Sequence, residues 1–226
     1  MSRRSLGVLV VAAMIALAGC GGGEKNDALV ARGKALVAEG KFDAAVVELK
    51  KATEADKNNF EAWLQLGHAY RGLKKHDDAL SAYVAAKRID RHSIAPHVAH
   101  AKVQIELGRV EQATTELNFV VEMDPKNLEA LLLLGQVSQL PVKQPDGATG
   151  VSKLSLERAE LNLQAAVALA PKDAQAHFEL VKVAAKLGKG DEAKAGFARL
   201  QALAETDAAA KKLLPDAEAA LKAAGG

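Results

Sequence analysis

Between Phe60 and Arg91 the apolar residues fall three and four apart. Trp63, Leu66 and Tyr70 share one face of a first helix, and Ala79, Tyr83 and Ala86 share one face of a second. Gly67 lies inside the first apolar stripe, where the missing side chain lets the second helix approach, and Ala79 and Ala86 leave room from the other side. Such a helix pair cannot bury its apolar face alone, so the pattern predicts neighbours of the same kind.

The pattern recurs every 34 residues. One step back, Gly33 stands with Leu29, Leu36, Ala45, Leu49 and Ala52 in the matching places. One step forward is Ala101, followed by Ala113, Leu117, Val120 and Pro125, and another step reaches Gly135 with Leu131 and Leu134 before it. The second half of that unit arrives twelve residues late, as Ala159, Leu163, Ala166 and Pro171. A fifth unit carries Leu180, Val181, Ala193, Phe197 and Leu200. The spacing W-x2-L-G-x2-Y followed by A-x3-aromatic-x2-A resembles the tetratricopeptide repeat. The expected fold is therefore all-α, a right-handed α-solenoid of about five helix pairs. The repeats run over 26–59, 60–93, 94–127, 128–173 and 174–207, and a cap helix over 208–224 closes the stack. Pro215 lies inside that cap or divides it. The late half-repeat is explained by residues 140–154, whose two prolines, two glycines and polar residues predict a loop insertion. Gly40, Gly108 and Gly188 mark three of the turns between paired helices; in the second repeat the glycine comes early, at Gly72, and the turn is read as Lys74 to Asp77.

The first twenty residues follow a different pattern. Arg3 and Arg4 precede a continuous apolar run from Leu6 to Leu17, too short to span a bilayer, and Leu17-Ala18-Gly19-Cys20 ends it. That ending resembles the lipobox of bacterial lipoproteins. The resemblance implies that residues 1–19 are a signal peptide and that Cys20, the single cysteine of the chain, carries lipid. Residues 20–25 then form a lipidated tether. The six residues from Gly21 to Asn26 reach about 20 Å when extended, which keeps the first repeat near the membrane. Gly21 stands where an aspartate would retain a Gram-negative lipoprotein at the inner membrane. The expected location is thus the periplasmic face of the outer membrane, or the outer face of the cytoplasmic membrane in a single-membrane envelope.

Charge narrows the partner. The chain carries 30 basic and 28 acidic residues, and removing Arg3 and Arg4 leaves it neutral. A neutral chain argues against nucleic acid, whose phosphates call for a basic excess. No phosphate loop, nucleophile elbow or H-E-x-x-H motif is present, so no enzyme activity and no cofactor are expected. His97 and His100 stand three apart with His92 before them, but no carboxylate or thiol stands at ligand spacing, and no metal site is assigned.

By the repeat resemblance, positions 5 and 9 of each first helix face a concave groove. Position 5 reads Val30, Leu64, Val98, Leu132 and Phe178, an apolar column. Position 9 reads Lys34, His68, Lys102, Gln136 and Lys182, a cationic ladder that His68 would join below about pH 6.5. Val30 occupies the place where a chaperone-type carboxylate clamp has lysine, so that ligand is not expected. The reading is a membrane-anchored scaffold whose groove binds a protein or peptide of an envelope complex. The layout resembles the lipoprotein pilotins of type IV pili, which assist a secretin. Those carry six repeats, whereas this chain shows five and a cap. An adaptor for peptidoglycan hydrolases and an exopolysaccharide export subunit are the alternatives, and from a different class a metal-binding protein or enzyme using His92, His97 and His100.

Overall fold

The computed structural model describes residues 23–143 and 148–224. The signal segment, Cys20 and residues 21–22 lie outside the described residues; residues 23–26, expected as the end of an extended tether, are already helical, because their backbone continues the first turn of the first repeat. The fold is all-α and of the tetratricopeptide type. Helices α1 (23–38), α2 (Phe42–Ala55), α3 (Phe60–Gly72), α4 (His76–Ile89) and α5 (Ala95–Glu106) are followed by α6 (Val110–Met123) and α7 (Leu128–Val137). After two short strands come α8 (Lys153–Leu169), α9 (Ala174–Lys186), α10 (Gly190–Ala204) and α11 (Ala208–Ala224). The chain divides into two compact units, and the division falls inside α5, after Val103.

Helix starts and turns repeat with the period of the sequence. Asn59, Asn127 and Asp173 each accept a hydrogen bond from the backbone N–H three residues on, capping α3, α7 and α9. At the turns, Gly40, Gly108 and Gly188 adopt left-handed φ values of 71°, 69° and 73°. The following N–H donates back to the carbonyl five residues earlier, as in Lys41 to Leu36 at 2.8 Å, which closes the helix end. The second repeat makes the same turn with Lys74 at φ 59°, and Lys75 donates to Tyr70 at 2.9 Å. The turn is Leu73 to Lys75, and His76 and Asp77 already belong to α4. Gly72 serves packing instead, because a Cβ there would enter the ring of Phe42. Lys74→Gly relieves a strained backbone at some entropic cost. It should raise the thermal midpoint of the first unit slightly, by an amount worth up to about 1 kcal/mol; a lowered midpoint would show that Lys74 is not strained.

In the first unit a Cβ on Gly33 would enter the side chain of Leu49, and one on Gly67 would enter the ring of Tyr83. Each partner lies sixteen residues on. In the second unit Gly135 meets Leu163, and the separation grows by the twelve inserted residues. The last repeat solves the same crossing differently. Val181, 1% exposed, fills the place of the glycine on α9, and Gly196 on α10 makes room for it. Phe197 turns toward a cluster with Phe178, Leu200, Ala210 and Ala217 that joins α9, α10 and α11.

The insertion is more ordered than a plain loop. Val142–Lys143 and Thr149–Gly150 pair as a two-residue antiparallel ladder, with Val142 opposite Gly150. Ser152 then caps α8 through the N–H of Ser155, and α8 runs for 17 residues. β-branched Val142 and Thr149 favour the extended backbone that a composition of proline and glycine conceals. Buried Glu160 of α8 takes both its hydrogen bonds from Lys189 at 2.7 Å, tying α8 to the turn before α10. Pro215 lies within α11 and does not end it.

Candidate functional site

In the first unit the inner-face residues are largely tied to one another. Lys34 pairs with Glu61 at 2.8 Å, and Gln65 donates to the same carboxylate oxygen at 3.1 Å. The carboxylate raises the pKa of Lys34, through the hydrogen bond first and the opposite charge second. His68 stacks edge-on against Tyr83, with ring centres 5.5 Å apart. Its Nδ1 lies 2.9 Å from the phenol oxygen. A neutral imidazole accepts there from the phenol, whereas an imidazolium would have to donate.

Burial holds the pKa of His68 below the usual histidine value, and the cations Arg71 and Lys102 add to the effect against Glu61. His68 therefore joins a cationic ladder only at a lower pH than an ordinary histidine would. A depressed pKa makes the unfolded chain the better proton binder, so stability should be full above about pH 6.5 and fall as the pH drops toward the folded value. In His68→Gln this loss should shrink, which denaturant midpoints of wild type and variant between pH 7 and pH 4.5 would reveal. Parallel curves would mean that His68 carries no part of it.

The apolar column is also more deeply set than an open groove requires. Val30, Leu64, Val98 and Phe178 are all at most 8% exposed. Val30 packs with Ala52 and Ala62 in the core of the first unit. Position 5 therefore does structural work in α1, α3, α5 and α9, where that face also meets the neighbouring helices. Leu132 is half-buried beside Leu131, Ala166 and Ala176. It lines a shallow depression with Leu128, Glu129, Leu133 and Gln136. Lys102 and Gln136 are partly exposed.

The second unit carries a polar cluster on its inner face that the period does not reveal. Glu179 of α9 is buried, and its carboxylate collects hydrogen bonds from Gln139 at 2.8 Å, Gln175 at 2.9 Å, Lys182 at 2.8 Å and, more weakly, Gln136 at 3.5 Å. Gln139 also donates to the carbonyl of Gly135, and its own oxygen accepts from Lys186 at 3.2 Å. The ammonium of Lys182 lies 5.0 Å over the ring of Phe178. Lys182 is thus spoken for by a carboxylate and an aromatic face. Beside them, α9 and α11 border a half-open cavity of about 450 Å³ lined by Phe178, Lys182, Ala185, Lys186, Asp216, Ala220 and Ala223. In the first unit, a cleft of about 550 Å³ lies over Trp63, Leu66 and Tyr70.

The geometry offers surfaces for recognition. Among the described residues, no three His, Cys, Asp or Glu side chains converge to hold a metal, and His92, His97 and His100 form no such group. No described helix is long and apolar enough to cross a membrane.

Two family models match the chain: one described as "TPR repeat" over residues 33–74 and one described as "Tetratricopeptide repeat" over residues 60–93. Among curated proteins, Superkiller complex protein 3 of Homo sapiens is 27% identical over 112 residues, which is 50% of this chain but 7% of that protein. Among solved structures, a tetratricopeptide repeat protein from Parabacteroides merdae has a TM-score of 0.71 at 20% identity, covering 88% of this chain and 75% of that one. PilF of Pseudomonas aeruginosa has a TM-score of 0.68 at 17% identity, covering 91% of this chain and 90% of that one. At these identities the structures show a shared fold. The chain carries tetratricopeptide repeats over residues 33–93, and the solved structures share the fold over most of its length.

Proposed function

We propose that this chain is a lipid-anchored, extracytoplasmic scaffold that binds a protein or peptide partner through the inner faces of its first helices and helps to assemble an envelope complex. The observation that carries the binding part lies in the second unit, where Leu132 and Gln136 of α7 are partly exposed beside the buried Glu179 cluster. The anchoring part rests on the apolar run ending in Leu17-Ala18-Gly19-Cys20. The fold shared with PilF over nine-tenths of both chains supports a role of the type IV pilus pilotin kind, with a secretin as the partner class.

The structure changes which variants test the binding part. Leu64 and Phe178 are core residues, so altering them would unfold the helix pairs. The informative variants are Lys102→Glu in the first unit and, separately, Leu132→Gln with Gln136→Lys in the second, with helicity checked by circular dichroism. In a pull-down from envelope extract the folded Leu132 and Gln136 variant should recover far less of the partner than wild type does, and the Lys102 variant reports on the first unit by itself. Equal recovery would remove the inner face as the binding surface.

Anchoring has its own test. Cys20→Ala should abolish incorporation of a tagged fatty acid and release the protein from the membrane fraction. Equal labelling of wild type and variant would end the lipobox reading. Gly21→Asp should move the protein toward the inner membrane of a two-membrane envelope.

A further inference from the structure

We propose that the cavity between α9 and α11 is a subsite for an apolar side chain of a partner segment, and that an acidic residue next to that side chain pairs with Lys186. The inference rests on the reading of the inner face as a partner-binding surface and adds which end of the chain reads which chemistry.

Three observations carry it. First, the cavity has room for an apolar side chain and its flanking backbone, at about 450 Å³. Its space comes from Ala185 on one wall and Ala220 and Ala223 on the other, with the Phe178 ring beside them. Second, the two lysines at its edge differ. Lys182 is held by Glu179 at 2.8 Å and lies over Phe178. Lys186 meets the neutral amide oxygen of Gln139 at 3.2 Å. Burial and then the charge of Lys182 lower the pKa of Lys186, against the pull of Glu179. A ligand carboxylate would supply Lys186 with the counter-charge that Glu179 supplies to Lys182.

Third, charge sets the orientation. Asp216 stands on the α11 wall, so a carboxylate is favoured toward α9 and a main-chain N–H or a basic residue toward α11. All of the α11 wall follows Pro215, whose missing N–H leaves the carbonyl of Lys211 without its usual helical bond. Phe178, Lys182 and Lys186 stand four apart along one face of α9, so a segment lying on that face passes over the cavity. An internal segment with apolar and acidic residues side by side is the occupant that fits.

The probe is a fluorescein-labelled decapeptide of alternating leucine and glutamate, acetylated and amidated at its ends, read by fluorescence anisotropy on the full chain. It should bind, and glutamine in place of glutamate, or alanine in place of leucine, should weaken binding by about ten-fold or more. Lys186→Gln, which keeps the fold, and Ala220→Leu, which fills the cavity, should each weaken it by a similar factor. Absence of binding, equal binding of the glutamine peptide, or binding indifferent to both variants would overturn the proposal. Binding at least about ten-fold tighter with a free terminal carboxylate would overturn the internal segment as the occupant. If Lys186→Gln and Ala220→Leu still recover the envelope partner while the Leu132 and Gln136 variant does not, the scaffold reading stands and this subsite alone fails.

Discussion

Gly67→Leu should lower the stability of the first unit by about 3 kcal/mol, at the upper end of overpacking costs. The reason is local. A Cβ at Gly67 would already enter the ring of Tyr83, which is fully buried and tied to His68. The ring has no exposed side to turn to, so the bulk must part α3 from α4. The gain in helix propensity on losing a glycine, about 1 kcal/mol, offsets only part of that. Thermal unfolding followed at 222 nm measures the effect, and an unchanged midpoint would mean that the crossing is not close. A second arm separates collision from general damage. Tyr83→Ala vacates the space, so adding it to Gly67→Leu should cost less than the two single effects combined. Strict additivity would show that the two residues do not meet.

Glu179→Ala should have a comparable effect on the second unit. Removing the carboxylate leaves the amide of Gln139 without its 2.8 Å acceptor and Lys182 without its counter-charge beside Phe178. Gln139 is itself buried, so water does not replace the lost acceptor freely. The expected cost is about 2–4 kcal/mol, between that of an orphaned buried donor and that of a broken buried ion pair. Glu179→Gln should fall between wild type and Glu179→Ala, because one oxygen remains to accept. Chemical denaturation of the three proteins gives the order, and a Glu179→Ala midpoint equal to that of wild type would show the cluster to be idle. The same variant frees Lys182, so it should also tighten binding of an acidic peptide to α9.

How far these features are legible in the sequence depends on how local they are. The helix pairs are legible because Gly33, Gly67 and Gly135 recur at one interval and meet partners at another, and both intervals are written in the chain. The insertion is legible as a delay of twelve residues between Gly135 and Leu163, though not as a strand ladder, since the pairing of Val142 with Gly150 is a property of the folded backbone. Lys74 hides its left-handed turn because lysine is not a residue that announces one. The inner face is only half legible. Repeat positions assign Leu64, Val98 and Phe178 to it, but burial depends on how closely the neighbouring helices press, and spacing does not report that. The Glu179 cluster is hidden for a related reason: its partners Gln136 and Gln139 lie 43 and 40 residues away, across the insertion. The cavity is hidden because α11 lacks the repeat pattern, so nothing aligns Ala220 with Ala185.

The crossing of α9 and α10 bears on how such a chain can be lengthened. Val181 occupies a place that glycine holds in α1, α3 and α7, and Gly196 is its answer on the partner helix. Setting α9 against α4 would bring Val181 onto Tyr83, where only a glycine leaves room. Duplication or recombination that joined single helices from different repeats would therefore produce collisions, whereas exchange of whole hairpins would carry each compensation with its cause. The heritable module of this chain is the pair, and breakpoints tolerated by the fold should fall between hairpins, at segments such as Asp56 to Asn59 or Ala170 to Asp173, and not at the left-handed turns within them.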